Sequence, residues 1–308
     1  MKRLYAVLFS LMAVACSRDY DRDYSAEVAT PAYAERQPRL LVDAGHHNRH
    51  SVDGSYKPFA ALARSDGYAL ETLDSKVTAE ALARCDVFVI PSALGANDTN
   101  TDPAFTPEEV EVIARWVAGG GSLLLITDHH PFGGAVRNLG ERLGVEMHDG
   151  MTFDPVHHER TSRDDTQLLF TRDNRLLASH PITNGRNPSE RVSRVLTFTG
   201  QSIRAPRGVA LLTLSDTAEH RAASPRVTRE GGRVVVHVDF ARPASAAGYA
   251  QAVALTHGKG RVVVLAEAAM ASAQRDGDRR IGMNAPGADN RQFVLNTLHW
   301  LTRLLPEQ

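Results

Sequence analysis

The sequence predicts an α/β fold, a doubly wound and mostly parallel sheet in a single domain from Arg39 to Gln308 that is interrupted by one irregular excursion. Three observations carry that prediction. From Arg39 onward, apolar runs of strand length alternate with segments of helical period. The run Ser122 to Asp128 (SLLLITD) is apolar without alternation, as a strand covered on both faces must be. About 265 residues in a chain that is 43% hydrophobic and 23% charged suffice for one large core.

Taken in order, Leu40 to Ala44 reads as the first strand, Pro58 to Ser65 as a helix, and Ala69 to Leu73 as the second strand. Ala79 to Arg84 reads as a helix and Asp86 to Ser92 as the third strand. Thr106-Pro107-Glu108-Glu109 is a helix start: a hydroxyl cap, Pro at the first position, and acids at the positive dipole end. Val110, Ile113, Trp116 and Val117 form its apolar face, and Gly119-Gly120-Gly121 ends it. Ser122 to Asp128 follows as the fourth strand, then a helix from Gly134 to Leu143. The stretch 147–207 is polar and Arg-rich, the irregular excursion over the sheet. Val209 to Leu214, Arg233 to Asp239 and Arg261 to Ala266 read as strands, the last two open to antiparallel pairing, and Asn290 to Leu305 as a closing amphipathic helix.

The amino terminus has a different character. Lys2 and Arg3 precede a short apolar run, Leu4 to Ala15, with Ala13-Val14-Ala15 immediately before Cys16. A positive n-region, a short h-region and small residues at the cleavage point make residues 1–15 a signal peptide, and at about twelve residues the run is too short to span a bilayer. Ala-Val-Ala-Cys resembles the lipobox of bacterial lipoproteins, which implies acylation of Cys16 and anchoring to the periplasmic side of a bacterial cell envelope. Residues 16–38, with mixed charge and no hydrophobic period, read as a flexible tether. With Cys16 as the anchor, Cys85 is the only thiol left.

Composition excludes some partners. Lys+Arg number 35 against 36 Asp+Glu, with no basic stripe to neutralise a row of phosphates, so nucleic acid is not an expected partner. Aromatic residues are 6% of the chain, too few for a stacking platform. Histidine is the unusual component: there are 13, and His46, His47, His50, His129, His130, His157 and His158 fall into three short clusters.

Two of these clusters sit at carboxyl ends of predicted strands. Asp43-Ala44-Gly45-His46-His47-Asn48-Arg49-His50 leaves the first strand, and Asp128-His129-His130-Pro131-Phe132-Gly133-Gly134 leaves the fourth. Ligands bind outside such ends in open α/β sheets. With strand order 2-1-3-4, the two tips lie about 10 Å apart, a gap that His and Asp side chains close over one ion. His46, His50 and His129 are the candidate ligands for zinc or another divalent metal. The competing reading is structural, with Asp43 and Asp128 bonding loop backbone and His129 capping a helix. Gly133 and Gly134, opening a helix, are candidates for an anionic group of a ligand, with an ordinary helix start as the alternative. Glu267 ends the last strand and is a candidate general base or metal ligand, as Asp128 is a candidate proton carrier, with an edge-exposed, solvated Glu as the alternative. His157-His158-Glu159 reads as a surface loop and His180 as a capping turn residue. There is no Gly-x-Ser-x-Gly elbow, so that type of serine hydrolase is not expected.

The element order together with GGGSLLLITDHHPFGG, His180-Pro181-Ile182-Thr183-Asn184-Gly185 and the terminal Asn290-Arg291-Gln292-Phe293 helix resembles the class I glutamine amidotransferase-like superfamily, trehalose-utilisation-type members included. The resemblance implies a flavodoxin-like fold over most of 39–305. It is nearest to uncharacterised bacterial members, from which no activity carries over. The superfamily's glutaminases need a thiolate at a carboxyl strand end, whereas Cys85 starts the third strand, so glutamine amidotransfer is not expected.

The expectation is therefore a metal-dependent envelope hydrolase. Asp128 and Glu267 move protons, Asn48, Gly133 and Gly134 bind substrate, and His46, His50 and His129 hold the metal. The alternative is a non-catalytic lipoprotein that binds a small molecule, sugar or cell-wall fragment.

Overall fold

A computed structural model describes residues 20–96, 102–162, 164–230 and 233–307. The signal segment 1–15 and Cys16 lie outside the described residues.

Four parallel strands form where the apolar runs predict them: β1 (Arg39–Asp43), β2 (Ala69–Leu73), β3 (Val87–Pro91) and β4 (Ser122–Ile126). The strand Gly260–Leu265 lies parallel to β4, giving a five-stranded parallel centre in the order β2, β1, β3, β4, Gly260–Leu265. This is the flavodoxin-like arrangement, whose order reverses between β1 and β3. The next strand, Ala250–His257, runs antiparallel and carries Ser202–Arg204, Glu146–His148 and Val209–Thr213 beyond it.

Side chains of successive strand residues point to opposite faces, and both faces here are covered. Leu40, Val42, Val87, Val89, Leu124 and Ile126 pack with Phe59 of α1 (Lys57–Ser65) and with Phe293 and Leu298 of the closing helix Asn290–Leu301. Leu41, Phe88, Ile90, Leu123 and Leu125 pack on the other side against Leu82 of α2 (Ala79–Leu82) and Ile113 and Val117 of α3 (Pro107–Gly119). The α3 start is a complete capping box: Thr106 Oγ1 accepts from the Glu109 N–H, and Glu109 Oε2 from the Thr106 N–H.

Several expectations are corrected. The helix predicted from Gly134 begins earlier and breaks into Phe132–Ala135 and Arg137–Leu143 at Val136, whose backbone leaves the helical region. The stretch 147–207 is not structureless. It supplies the edge strand Ser202–Arg204, a short strand Gly150–Phe153 and a two-stranded ribbon of Leu169–Thr171 with Arg194–Leu196. The strand Arg233–Phe240 pairs with Glu219–Glu230 in a separate hairpin, not with Gly260–Leu265. Among the described residues, no helix is long and apolar enough to cross a membrane.

The segment 20–38 was expected as tether, but it lies along the domain. The Asp21 N–H donates to the Ala273 carbonyl (2.7 Å), and its buried carboxylate accepts from Asn284 and faces Arg275 and Arg280. Further along, Val28 N–H donates to Ser65 Oγ and Ala32 N–H to Asp66 Oδ1, both at 2.8 Å, and Tyr33 Oη meets Thr302 Oγ1 at 2.6 Å. The segment docks through hydrogen bonds, one ion cluster and the packing of Tyr24, Ala26, Val28 and Tyr33 on the core, at spacings that make no regular hydrophobic period.

Candidate functional site

The carboxyl ends of β1, β3, β4 and Gly260–Leu265 form one continuous edge, and the loops leaving them bring the candidate residues together. Asp43, the last residue of β1, organises the first loop. Its Oδ1 accepts from His46 Nδ1 (2.7 Å) and its Oδ2 from Asn48 Nδ2 (2.8 Å), while Asn48 Oδ1 accepts the His46 N–H (3.2 Å). His46 Nε2 meets Glu109 Oε1 at 3.1 Å, and its ring lies 4.3 Å from that of Phe105. Burial pulls the His46 imidazole down, but Asp43 and Glu109 outweigh it and the pKa rises. Glu109 is held below the ordinary carboxylate range against its own burial by the Thr106 and Val77 N–H groups and by His46. His46 thus bridges two acids that favour its charged form.

His50 sits deeper. Its Nδ1 pairs with Ser55 Oγ at 2.6 Å and its ring stacks on Tyr56 at 4.5 Å, 13° from parallel. Burial, reinforced by Arg49, pushes its pKa down to about 3, so the ring is neutral at physiological pH. Tyr56 Oη donates to the Ala268 carbonyl (2.7 Å), and its pKa is raised by burial and by the charges of Glu267 and Asp128. This shared field ties the first loop to the ends of β4 and Gly260–Leu265.

Glu267 is fully buried. Its Oε1 accepts from the Ala269 N–H (2.6 Å) and its Oε2 from the Met270 N–H (2.8 Å). Burial first, then the neighbouring Asp128, push its pKa up to about 8 despite those donors. Asp128 Oδ1 accepts the His129 N–H (2.8 Å), and its carbonyl accepts from Gln201 Nε2 at 2.8 Å. His129 Nδ1 lies 2.7 Å from the His130 carbonyl, and His130 Nδ1 bonds Asp149 at 2.8 Å.

This geometry tests the sequence reading residue by residue. Asp128 and Glu267 are brought together as an electrostatically coupled pair, and His50 joins them through Tyr56. Of the three candidate ligands, His46 has both nitrogens engaged by carboxylates, whereas His50 and His129 have Nδ1 held by Ser55 and by backbone. Among the described residues, no three His, Cys, Asp or Glu side chains converge as a ligand set. Asn48 has both ends of its amide committed within its own loop. Gly133 and Gly134 are close-approach positions, not an anion cradle. A Cβ on Gly133 would sit 2.3 Å from the buried Gln201 amide, and one on Gly134 2.8 Å from Asp149 Oδ2. Cys85 lies at the amino end of β3, where burial pushes its thiol up to about 12.

The sequence reading missed Glu109, Tyr56, Gln201 and Ser92. Glu109 was read only as an acid of the helix start and Tyr56 and Gln201 were given no role, because their spacing to the clusters is set by folding. Ser92 was noted only as one of the small residues at the exit of β3, Ser92-Ala93-Leu94-Gly95, that leave room for a site. The remaining clusters lie elsewhere. His157, His158 and Glu159 line a cavity of about 470 Å³ with Arg160, Asp173 and Arg194. Another, of about 490 Å³, opens at the amino ends of the strands between Tyr33, Trp116 and Arg303. His180 Nδ1 caps the turn Pro181–Asn184 by accepting the Ile182 N–H (3.1 Å), as its sequence context suggests.

No protein-family model matches the chain, and no curated protein matches it. Solved structures do. The fold is similar to that of the N-terminal domain of mmIFT52. That alignment has a TM-score of 0.61 at 15% identity and covers 85% of this chain and 97% of that one. Other similar structures include a cytoplasmic protein of Salmonella typhimurium LT2 (TM-score 0.46, 17% identity, 86% and 97% covered) and a ThuA-like protein from Bacteroides uniformis (0.43, 13%, 88% and 94%). At these identities the likeness concerns the fold, and activity has to be argued from the site.

Proposed function

We propose that the carboxyl edge of the sheet is the active site of a hydrolase, in an exported bacterial protein anchored to the envelope through acylated Cys16. In this reading it is a branch of the glutamine amidotransferase-like fold that works without the superfamily's cysteine. The observation that carries the reading is the Asp128 and Glu267 pair. Two carboxyl groups at adjacent strand ends, one raised to about 8 beside the other, hold a single proton between them at neutral pH. Such a pair takes a proton from an attacking group and returns one to a leaving group. Because the histidines do not present a ligand set, no step is routed through a metal.

The test is a screen of ester, amide and glycan substrates with the chain lacking its signal peptide and carrying Cys16→Ser, beside Asp128→Asn and Glu267→Gln. Loss of at least a hundredfold in kcat/KM in both variants, with folding unchanged by circular dichroism, is expected. Full activity in both would refute the assignment. A second reading, a non-catalytic receptor for a sugar or cell-wall fragment, is favoured by the saturation of His46 and Asn48 within their own loop. It predicts saturable binding of muropeptides or glycans by calorimetry with no turnover.

A further inference from the structure

The acid pair leaves one residue of this edge unused. Ser92 immediately follows β3, and its φ is +54°, in the left-handed region that a residue with a side chain enters only when its surroundings impose it. Its N–H donates to the Ile126 carbonyl (2.8 Å), and its carbonyl accepts the Arg49 N–H (3.0 Å). Ser92 is therefore pinned between the end of β4 and the loop leaving β1, at the point where strand order reverses and open α/β sheets bind their ligands. Its Oγ is buried and has no hydrogen-bond partner. A structural serine in a loop turns its hydroxyl to a neighbouring carbonyl, and an orphaned one is disfavoured by folding alone. Strain and an unsatisfied hydroxyl at the same residue point to a role beyond structure.

Two neighbours complete the arrangement. The N–H of Ala93, the next residue, donates to no acceptor among the described residues, which is the position of an oxyanion donor after a nucleophile on a sharp strand exit. His50 follows Arg49, the residue bonded to the Ser92 carbonyl. With its proton on Nδ1 and donated to Ser55, its Nε2 carries the lone pair and has no partner among the described residues. The missing Gly-x-Ser-x-Gly signature is no obstacle: the backbone turn is held here by hydrogen bonds to two neighbouring elements instead of by flanking glycines.

We propose that Ser92 is the nucleophile of this site, with His50 Nε2 as its base and the Ala93 N–H as oxyanion donor, and that the substrate is a carboxylic ester with a short acyl group. The proposal rests on the hydrolase reading of the same edge and departs from it in giving the proton transfers to His50 and leaving the acid pair to set the local field around Tyr56. Ser92 Oγ bonds to the acyl carbon while its proton passes to His50 Nε2, and the ester C–O bond breaks as that proton moves to the departing alkoxide. Water then adds to the acyl carbon, giving a proton to the same nitrogen. The Ser92 ester bond breaks, the proton returns to Oγ, and the carboxylic acid leaves. Because Oγ is buried, the acyl group proposed is the smallest one, acetyl.

The experiment treats the Cys16→Ser chain with methanesulfonyl fluoride, a reagent of acetyl size, and reads intact mass and peptide maps, while the hydrolysis of p-nitrophenyl acetate and octanoate is followed in parallel. One sulfonyl group on the Ser92 peptide is expected, absent in Ser92→Ala and Ser92→Gly and formed at least tenfold more slowly in His50→Gln. Acetate should turn over at least a hundredfold faster than octanoate. Ser92→Gly relieves the positive φ and keeps the control folded if Ser92→Ala is strained. No adduct, or an adduct elsewhere, overturns the proposal. Ester hydrolysis that survives in Ser92→Gly but falls in Asp128→Asn would remove Ser92 and keep the hydrolase. An adduct on Ser92 without turnover of any ester would keep the nucleophile and remove the hydrolase.

Discussion

Replacing Glu267 by Gln should change the pH dependence of stability in a direction set by its burial. The folded protein holds a proton on Glu267 up to about pH 8, whereas the unfolded chain loses it near the ordinary value of 4.5. Between those limits the native state binds more protons than the unfolded one, so stability falls as pH rises and levels off above about 8. At about 1.4 kcal/mol for each tenfold change in proton affinity, the penalty over that window is on the order of 4–5 kcal/mol. Glu267 is fully buried, so solvent does not screen it. Glu267→Gln cannot titrate and keeps an oxygen for one of the Ala269 and Met270 N–H groups, which bond different oxygens in the parent. The parent should therefore lose several kcal/mol relative to the variant between pH 5 and 8.5, a relative shift in Tm on the order of 10 °C. Asp128→Asn, which removes the like charge, should flatten the same limb in part. Urea unfolding at pH 5, 6.5 and 8.5 measures all three proteins. Curves of parent and Glu267→Gln that stay parallel within about 1 kcal/mol across that range would show that the Glu267 proton is not held as the geometry implies.

His50 works in the opposite direction, since its pKa is lowered to about 3 in the fold and its contribution is lost as pH falls from the ordinary 6.5 toward that value. His50→Phe, which keeps the ring on Tyr56, should move the acid unfolding midpoint to lower pH, and an unmoved midpoint in a pH titration by circular dichroism counts against it. Thr106→Ala removes the capping box of α3 and should cost about 1 kcal/mol by urea denaturation. Gly133→Ala forces a methyl group to 2.3 Å from the Gln201 amide and should cost about 1–3 kcal/mol, visible as a lowered Tm. Asp21→Ala should free the segment 20–38, so that trypsin cuts at Arg22 and Arg36 faster than in the parent. Equal cleavage rates would mean that the ion cluster does not hold the segment.

Local patterns were the legible part of this fold. The continuous apolar runs of β3 and β4 announce strands buried on both faces, and Thr106-Pro107-Glu108-Glu109 announces a capped helix, because both depend on the nearest few residues. The segment 20–38 was misread as free because it is held by contacts to Ser65, Asp66, Ala273 and Thr302, distant in the chain. The strand Arg233–Phe240 was found but given the wrong relation, since its partner Glu219–Glu230 is polar and alternates weakly. For the site, the sequence places His46, His50, Asp128 and Glu267 at strand ends, but the bonds of His46 to both Asp43 and Glu109 follow from the packing of α3 beside the first loop.

By itself, then, the amino-acid order determines which segments become strands and helices, that the central sheet is covered on both faces, and that the histidine-rich loops leave its carboxyl edge. Tertiary structure decides which of those residues meet and in what protonation state. Glu267 faces Asp128 because Arg261 to Leu265 pair in register with Ser122 to Ile126, a choice among distant partners that no local pattern encodes. Glu267 keeps its proton to about pH 8 because burial, and then the neighbouring Asp128 charge, disfavour its ionised form.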